Sequence, residues 1–202
     1  VRRISDPLTP EAKLEVVTLE KAKAHLRVRH ADEDDLIQDL IVTGFDFLHG
    51  PDGWLNGYCL LAEQFELFLP AINSTAELPL RPVEDVDAVA VASLVDGAYE
   101  AAPAGTFVTA TENNFAVVAR LLAASVDPAG PRAYRIAFSA GHASADAVPM
   151  SLKQSILLLV GHWYVNREAT LNTAQGGTTI SRQVEFGLKA LAGRLRVSPD
   201  HS

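Results

Sequence analysis

The sequence predicts an α+β fold, a helical bundle built on long central helices with a small antiparallel β module inserted in it. Three observations carry that expectation. Residues 152–168, LKQSILLLVGHWYVNRE, set Leu152, Ile156, Leu159, Val160, Trp163 and Tyr164 at helical spacing, and the run 156–160 fills the other faces as well. Residues 33–48 carry a second stripe of Leu36, Ile37, Leu40, Ile41, Phe45 and Leu48. Between them, residues 63–140 contain short runs near period two, punctuated by Pro, Gly and Asn. The expected divisions are 1–62 (N-terminal arm and helices), 63–147 (β module) and 148–202 (core helix, hinge and C-terminal docking segment).

Residues 1–17 mix Pro7, Pro10 and charges and are expected to lie along the surface as an arm. Thr18 is a favourable N-cap for a helix that spaces Leu19, Ala22 and Leu26 by three and four. Asp32 and Asp35 have capping-box spacing and place acids at the positive end of the next helix dipole. Gly44 in that helix allows a close approach, expected to be to the 152–168 helix, and Gly50-Pro51-Asp52-Gly53 ends it.

Residues 64–70 then alternate as a half-buried strand, and Pro79 and Pro82 bracket an extended edge segment. Residues 86–95 are rich in valine, and Asp96-Gly97 signals a hairpin. Residues 107–109, 116–122 and 134–138 supply further strands, separated by Asn113-Asn114 and by 128–131. Pro149 and Ser151 mark the start of the core helix, Ser151 as its cap. Its apolar run, 156–165, is about half of the ~20 residues needed to span a bilayer, so it reads as a core helix. Residues 172–179, with Gly176-Gly177, are expected to act as a hinge. After them, Val184, Leu188, Leu191 and Leu195 form one stripe of a last helix, in which Gly187 and Gly193 each cost about 1 kcal/mol.

A 202-residue chain with 48% hydrophobic and 21% charged residues suits one domain or two small ones. The single Cys59 excludes an internal disulfide framework, and no secretory leader is expected. A formal charge of −8 argues against nucleic-acid binding as the main role. Charge is also unevenly spread. Residues 1–101 hold 8 basic and 19 acidic side chains, net −11, and residues 102–202 hold 9 and 6, net +3. The two ends could attract one another between neighbouring subunits, or form ordinary solvated surfaces.

Little in the sequence signals catalysis. The six histidines, His25, His30, His49, His142, His162 and His201, lack the i, i+4 pairing and glutamate of a helical zinc site. The acidic run 32–39 lacks the glycine turn and distal glutamate of a calcium loop, and Cys59 has no evident activating partner. No catalytic residue, metal site or cofactor is therefore expected, and His162 reads as a core histidine. Trp54, Trp163 and Tyr164 could anchor a partner, with core packing the simpler reading for the latter two.

Three signatures remain: TLEKAKAHLRVRHADEDDLIQDLI (18–41), GPDGWLNGYCLLAEQFELFLP (50–70) and VPMSLKQSILLLVGHWYVNRE (148–168), the last followed by Phe186-Gly187-Leu188 to Leu191. In this order and spacing the chain resembles the head-to-tail connector, or adaptor, proteins of long-tailed bacteriophages and phage-derived gene transfer agents. It departs from them at Gly57-Tyr58, where many members have Gly-Arg, and at Phe65, where many have Thr-Trp. The resemblance implies a non-enzymatic protein of the virion or particle neck, made in the bacterial cytoplasm. It would bind beneath the portal protein as a ring, with dodecameric symmetry, extend the DNA channel, and offer a platform to a stopper or tail-completion protein. No membrane partner is implied, and DNA would pass without sequence-specific binding.

By analogy with connectors whose C-terminal tails reach the portal, Phe186, Leu188, Leu191 and Leu195 would be apolar anchors, and Arg194 and Arg196 would meet acidic portal groups. The alternative is that this stripe folds back on the subunit's own core. Leu152, Ile156, Leu159, Val160, Trp163, Tyr164, Leu36, Leu40 and Phe45 would serve core and subunit packing. Other functions left open are a stopper or other neck protein, a small enzyme of phage assembly or lysis using His162, and a non-viral helical partner-binding module.

Overall fold

The computed structural model describes residues 1–112, 115–121, 130–166 and 182–196. The fold is mixed α+β, and its residues gather into two compact units. One combines residues 1–7 with 61–143; the other combines 8–60 with the described residues between 144 and 196.

The first unit is built of strands: β1 (Arg2–Arg3), β2 (Glu63–Leu69), β3 (Thr75–Glu77), β4 (Ala90–Val95), β5 (Ala98–Ala101), β6 (Phe107–Glu112), β7 (Phe115–Arg120) and β8 (Tyr134–Ala140). They form two antiparallel sheets, ordered β1-β2-β8-β4-β5 and β3-β7-β6, where the sequence suggested one small module. Local alternation marks strands but cannot say which distant strand each will pair with. The β2–β8 register joins Phe65 to Phe138 and Leu67 to Ile136, directing those side chains inward with Tyr134, while Arg135, Ala137 and Ser139 alternate to the other face. Ile72, Leu78, Leu80, Val118 and Ile136 complete this core, and Phe107 meets Tyr134 edge-on, linking the two sheets.

Asp96-Gly97 forms the expected hairpin between β4 and β5. Both residues have positive φ, 47° and 87°, as a tight two-residue turn requires. The segment bracketed by Pro79 and Pro82 is not a strand; the edge strand β3 lies just before it, and Leu78 and Leu80 point inward. Residues 113–114 and 122–129, expected as strand separators and a strand end, lie outside the described residues.

The N-terminal stretch expected as an arm is structured. β1 pairs with β2, and buried Glu63 and Glu66 hold Arg3 at 3.0 Å and Arg2 at 2.5 Å. α1 (Pro10–Val16) follows in the second unit, capped by the Thr9 hydroxyl with Pro10 in its first turn, and Val16 and Val17 are buried. The stretch stays at the surface as expected, with only Val16 and Val17 buried; its order comes from the two β2 carboxylates, about sixty residues away, which the first 17 residues do not advertise.

In the second unit, α2 (Leu19–Leu26) begins as expected, with Thr18 accepting from the Lys21 amide. α3 (Asp34–Leu48) starts without the Asp32 capping box. The Asp34 amide is already satisfied by the Ala31 carbonyl at 3.1 Å, and Asp32 stays exposed. α4 (Met150–Val165) likewise lacks a side-chain cap. Pro149 precedes it, its carbonyl accepts the Leu152 and Lys153 amides, and Ser151 lies inside the helix, where its carbonyl accepts from the Ser155 hydroxyl at 2.8 Å.

α3 packs on α4 through Gly44, as the sequence suggests: a Cβ there would lie 3.3 Å from Ile156 Cγ2 and 3.8 Å from Leu159 Cβ. α5 (Arg182–Ala192), ending in a 3-10 turn at Gly193–Leu195, packs on α4 near Leu158. The expected hinge, residues 172–179, lies outside the described residues. No helix among the described residues is long and apolar enough to cross a membrane.

Candidate interaction surfaces

The residues expected to pack do so unevenly. Leu152, Ile156, Leu159, Val160, Trp163 and Phe45 are buried, because α4 meets α2, α3 and α5 and leaves few outward positions. Tyr164 is half-buried and donates its hydroxyl to Glu33. Leu36 and Leu40 are also half-buried. The buried line on α3 runs instead through Ile37, Ile41, Gly44, Phe45 and Leu48, one residue further round the helix. The Trp163 ring meets Phe47 edge-on at 6.1 Å, and its buried Nε1–H has no hydrogen-bond partner among the described residues.

α5 separates side chains that the sequence grouped. Val184, Leu188 and Ala192 form its buried line at spacing of four, with Leu188 fully buried in the chain's own core. Leu191 is exposed, since three residues of helix turn it about 60° away from Leu188. Leu195 is half-buried, Arg194 is exposed, and Phe186 is 75% exposed. Arg196 is exposed, with its guanidinium 5.0 Å over the Trp54 ring, a cation–π contact inside the chain. Of the six candidate docking residues, Phe186, Leu191 and Arg194 therefore form the outward set, while Leu188 belongs to the core. On the outer side Glu185 accepts from Lys189 at 2.8 Å; this bond first, and the lysine's charge second, hold its carboxyl below the usual glutamate value.

The histidines are dispersed into separate small roles. His49 accepts from the Leu60 amide at 2.9 Å. His142 lies 2.7 Å from Glu84, whose second oxygen accepts from the Ala143 amide. His162, expected in the core, is half-buried and lies 3.2 Å from the Asn166 amide nitrogen. Among the described residues no three His, Cys, Asp or Glu side chains gather as metal ligands. A cavity of about 310 Å³ opens in the strand unit between Asp87, Val91, Ala102, Phe107 and Thr109; among the described residues Asp87 is its one ionisable lining residue.

One surface that sequence reasoning missed lies on the five-stranded sheet. Arg132 sits 5.0 Å and Arg2 5.7 Å over the Phe68 ring, and Arg135 sits 4.9 Å over the Tyr99 ring. The two rings are 5.9 Å apart. These five residues come from distant parts of the chain, so no local motif could reveal them.

No protein-family model matches the sequence, and no curated protein matches it. The fold, by contrast, has solved counterparts. A chain from the neck of an empty gene transfer agent particle, computed with C6 symmetry, matches with a TM-score of 0.64 and 21% identity, over 98% of this chain and 95% of that one. A chain from the virion of a native gene transfer agent particle matches at 0.66 and 20%, over 98% and 95%. A third, from the neck of a native particle computed with C12 symmetry, gives 0.60 and 19%, over 98% and 94%. At these identities the likeness is one of fold, and it takes in both units.

Proposed function

We propose that this chain is a neck protein of a gene transfer agent or a related tailed particle, and that it acts there as the head-to-tail adaptor. It binds beneath the portal protein as a ring of copies, extends the DNA channel and receives the next neck or tail protein. One observation carries the reading: the likeness covers nearly the full length of both this chain and chains from gene transfer agent particles, two of them from necks computed with C6 or C12 symmetry. The three sequence signatures resemble adaptors independently of that likeness.

Phe186 and Leu191 of α5, with Arg194 of the 3-10 turn after it, are the side chains offered to the portal, an apolar anchor and its rim. The role is one of binding, not catalysis; in keeping with it, His162 is engaged with Asn166 at its own helix end. A net acidic body suits a channel through which DNA slides without adhering.

Negative-stain microscopy of the full chain, alone and mixed with the portal of the same particle, tests the reading. A ring stacked on the portal's outward end is expected. A bare portal, under conditions where the protein is folded, would remove the adaptor role.

A further inference from the structure

The outer face of the five-stranded sheet concentrates positive charge on an acidic protein. Arg2 pairs across to Glu66, Phe68 to Arg135, Arg135 to Ala92, and Ala92 to Ala101, so the alternation of strand side chains sets Arg2, Glu66, Phe68, Arg135 and Tyr99 on one face. Arg132, just before β8, reaches the same face over Phe68, and the Tyr99 hydroxyl donates to its carbonyl at 2.7 Å. Glu66 is shared by Arg2 at 2.5 Å and Arg135 at 3.5 Å. No carboxylate pairs with Arg132 among the described residues.

Three guanidinium groups against one carboxylate leave excess positive charge on a chain of net charge −8. A guanidinium held over a ring can still direct N–H groups to a carboxylate. Arg, Tyr and Phe together are also the residues that enrich protein interfaces.

We propose that this arginine-and-aromatic face binds the acidic surface of a second copy of the chain, around Asp35 and Asp39. The inference rests on the neck reading, because it concerns the contact between ring neighbours. A cyclic ring is closed by unlike surfaces, so each copy must carry both a donor patch and its complement. This chain carries the complement: Asp32, Asp35 and Asp39 are exposed, and the half-buried Leu36 and Leu40 add apolar area beside them. Nucleic acid fits the face less well. The Phe68 and Tyr99 rings are covered by arginines and not open to bases, and a small excess charge on an acidic chain is a weak polyanion site.

The test uses the full chain, alone and with its portal, and measures self-association by sedimentation velocity and ring formation by microscopy. Variants are Arg132→Glu, the pair Asp35→Arg with Asp39→Arg, and all three combined; circular dichroism checks that each is folded. Each one-sided reversal is expected to weaken self-association at least about tenfold, and the combined reversal to restore it. If wild-type rings form and the reversals leave them unchanged, or the combined variant is no better than either alone, the inference is overturned while the neck reading stands. Weakened duplex DNA binding by Arg132→Glu, with self-association intact, overturns it in favour of nucleic acid. A wild-type chain that neither self-associates nor binds the portal overturns both.

Discussion

α4 and α5 are adjoining helices with opposite distributions of apolar residues. α4 is apolar nearly all round and is met by α2, α3 and α5, so even its aromatic Trp163 is enclosed. α5 buries one narrow line, Val184, Leu188 and Ala192, and presents Phe186 and Leu191 outward. The first pattern spends its apolar surface on folding. The second holds some back, and an exposed phenylalanine beside charged neighbours is a feature that folding alone does not explain. Substitutions in α4 should therefore be read in stability, and those on the outer side of α5 in association.

The largest effect is expected at Leu159. Leu159→Ala removes a fully buried side chain where α3 and α4 touch and is expected to cost about 2–5 kcal/mol in urea unfolding. A loss below about 1 kcal/mol would mean that α4 is not the core element.

Gly44 and Gly187, each in a helix, should respond differently to added side-chain atoms. Gly44→Val pushes methyl groups into Ile156, held on both sides by packed helices, and should cost about 1–3 kcal/mol. Gly187→Ala brings a Cβ to 2.7 Å from Leu158 Cδ2, the far end of a half-buried, flexible side chain. There the gain in helix propensity, about 1 kcal/mol, offsets the clash, and the net change in unfolding free energy is expected to be near zero.

Phe186→Ala, immediately before that glycine, should leave stability within about 0.5 kcal/mol while lowering capture of the portal in a pull-down. Unchanged capture would remove Phe186 from the docking surface. The smallest effect belongs to Glu185. Because its folded carboxyl is held below the usual value by the bond to Lys189, its contribution is present above the unfolded value and lost as pH falls through the folded one. The thermal midpoint of Glu185→Gln should thus lie slightly below wild type near neutrality and meet it in acid. A difference that grows in acid would contradict this sign.

Much of the secondary structure was legible because its determinants are local. Thr18 caps α2 with its own hydroxyl, Asp96-Gly97 makes its own turn, and Gly44 marks the α3–α4 contact by having no side chain. What escaped notice depends on residues far apart in the chain. β1 is two residues long and exists because Glu63 and Glu66 receive Arg3 and Arg2. The partition into two sheets follows from pairings such as β2 with β8, about seventy residues apart. The arginine face draws on β1, β2, β5, β8 and the residues before β8, so its members look like unrelated surface charges until the strands align. At the ends where caps were assigned to Asp32 and Ser151, backbone carbonyls take nearby amides instead: Ala31 takes that of Asp34, and Pro149 takes that of Lys153. On α5 the spacing of apolar residues could not distinguish Leu188, which turns inward, from Leu191, which does not.

The short first strand also governs how the molecule can be taken apart. Because Arg2 and Arg3 belong with residues 61–143 while residues 8–60 and the described residues between 144 and 196 belong together, the backbone passes from one unit to the other after positions 7, 60 and 143. No single scissile bond releases either unit whole, and neither can be lifted out as one uninterrupted stretch of gene. Dissection, domain exchange and evolutionary shuffling must all treat the pair as a single heritable block. An insertion at either of the two later passages would lengthen a connection without interrupting any helix or strand.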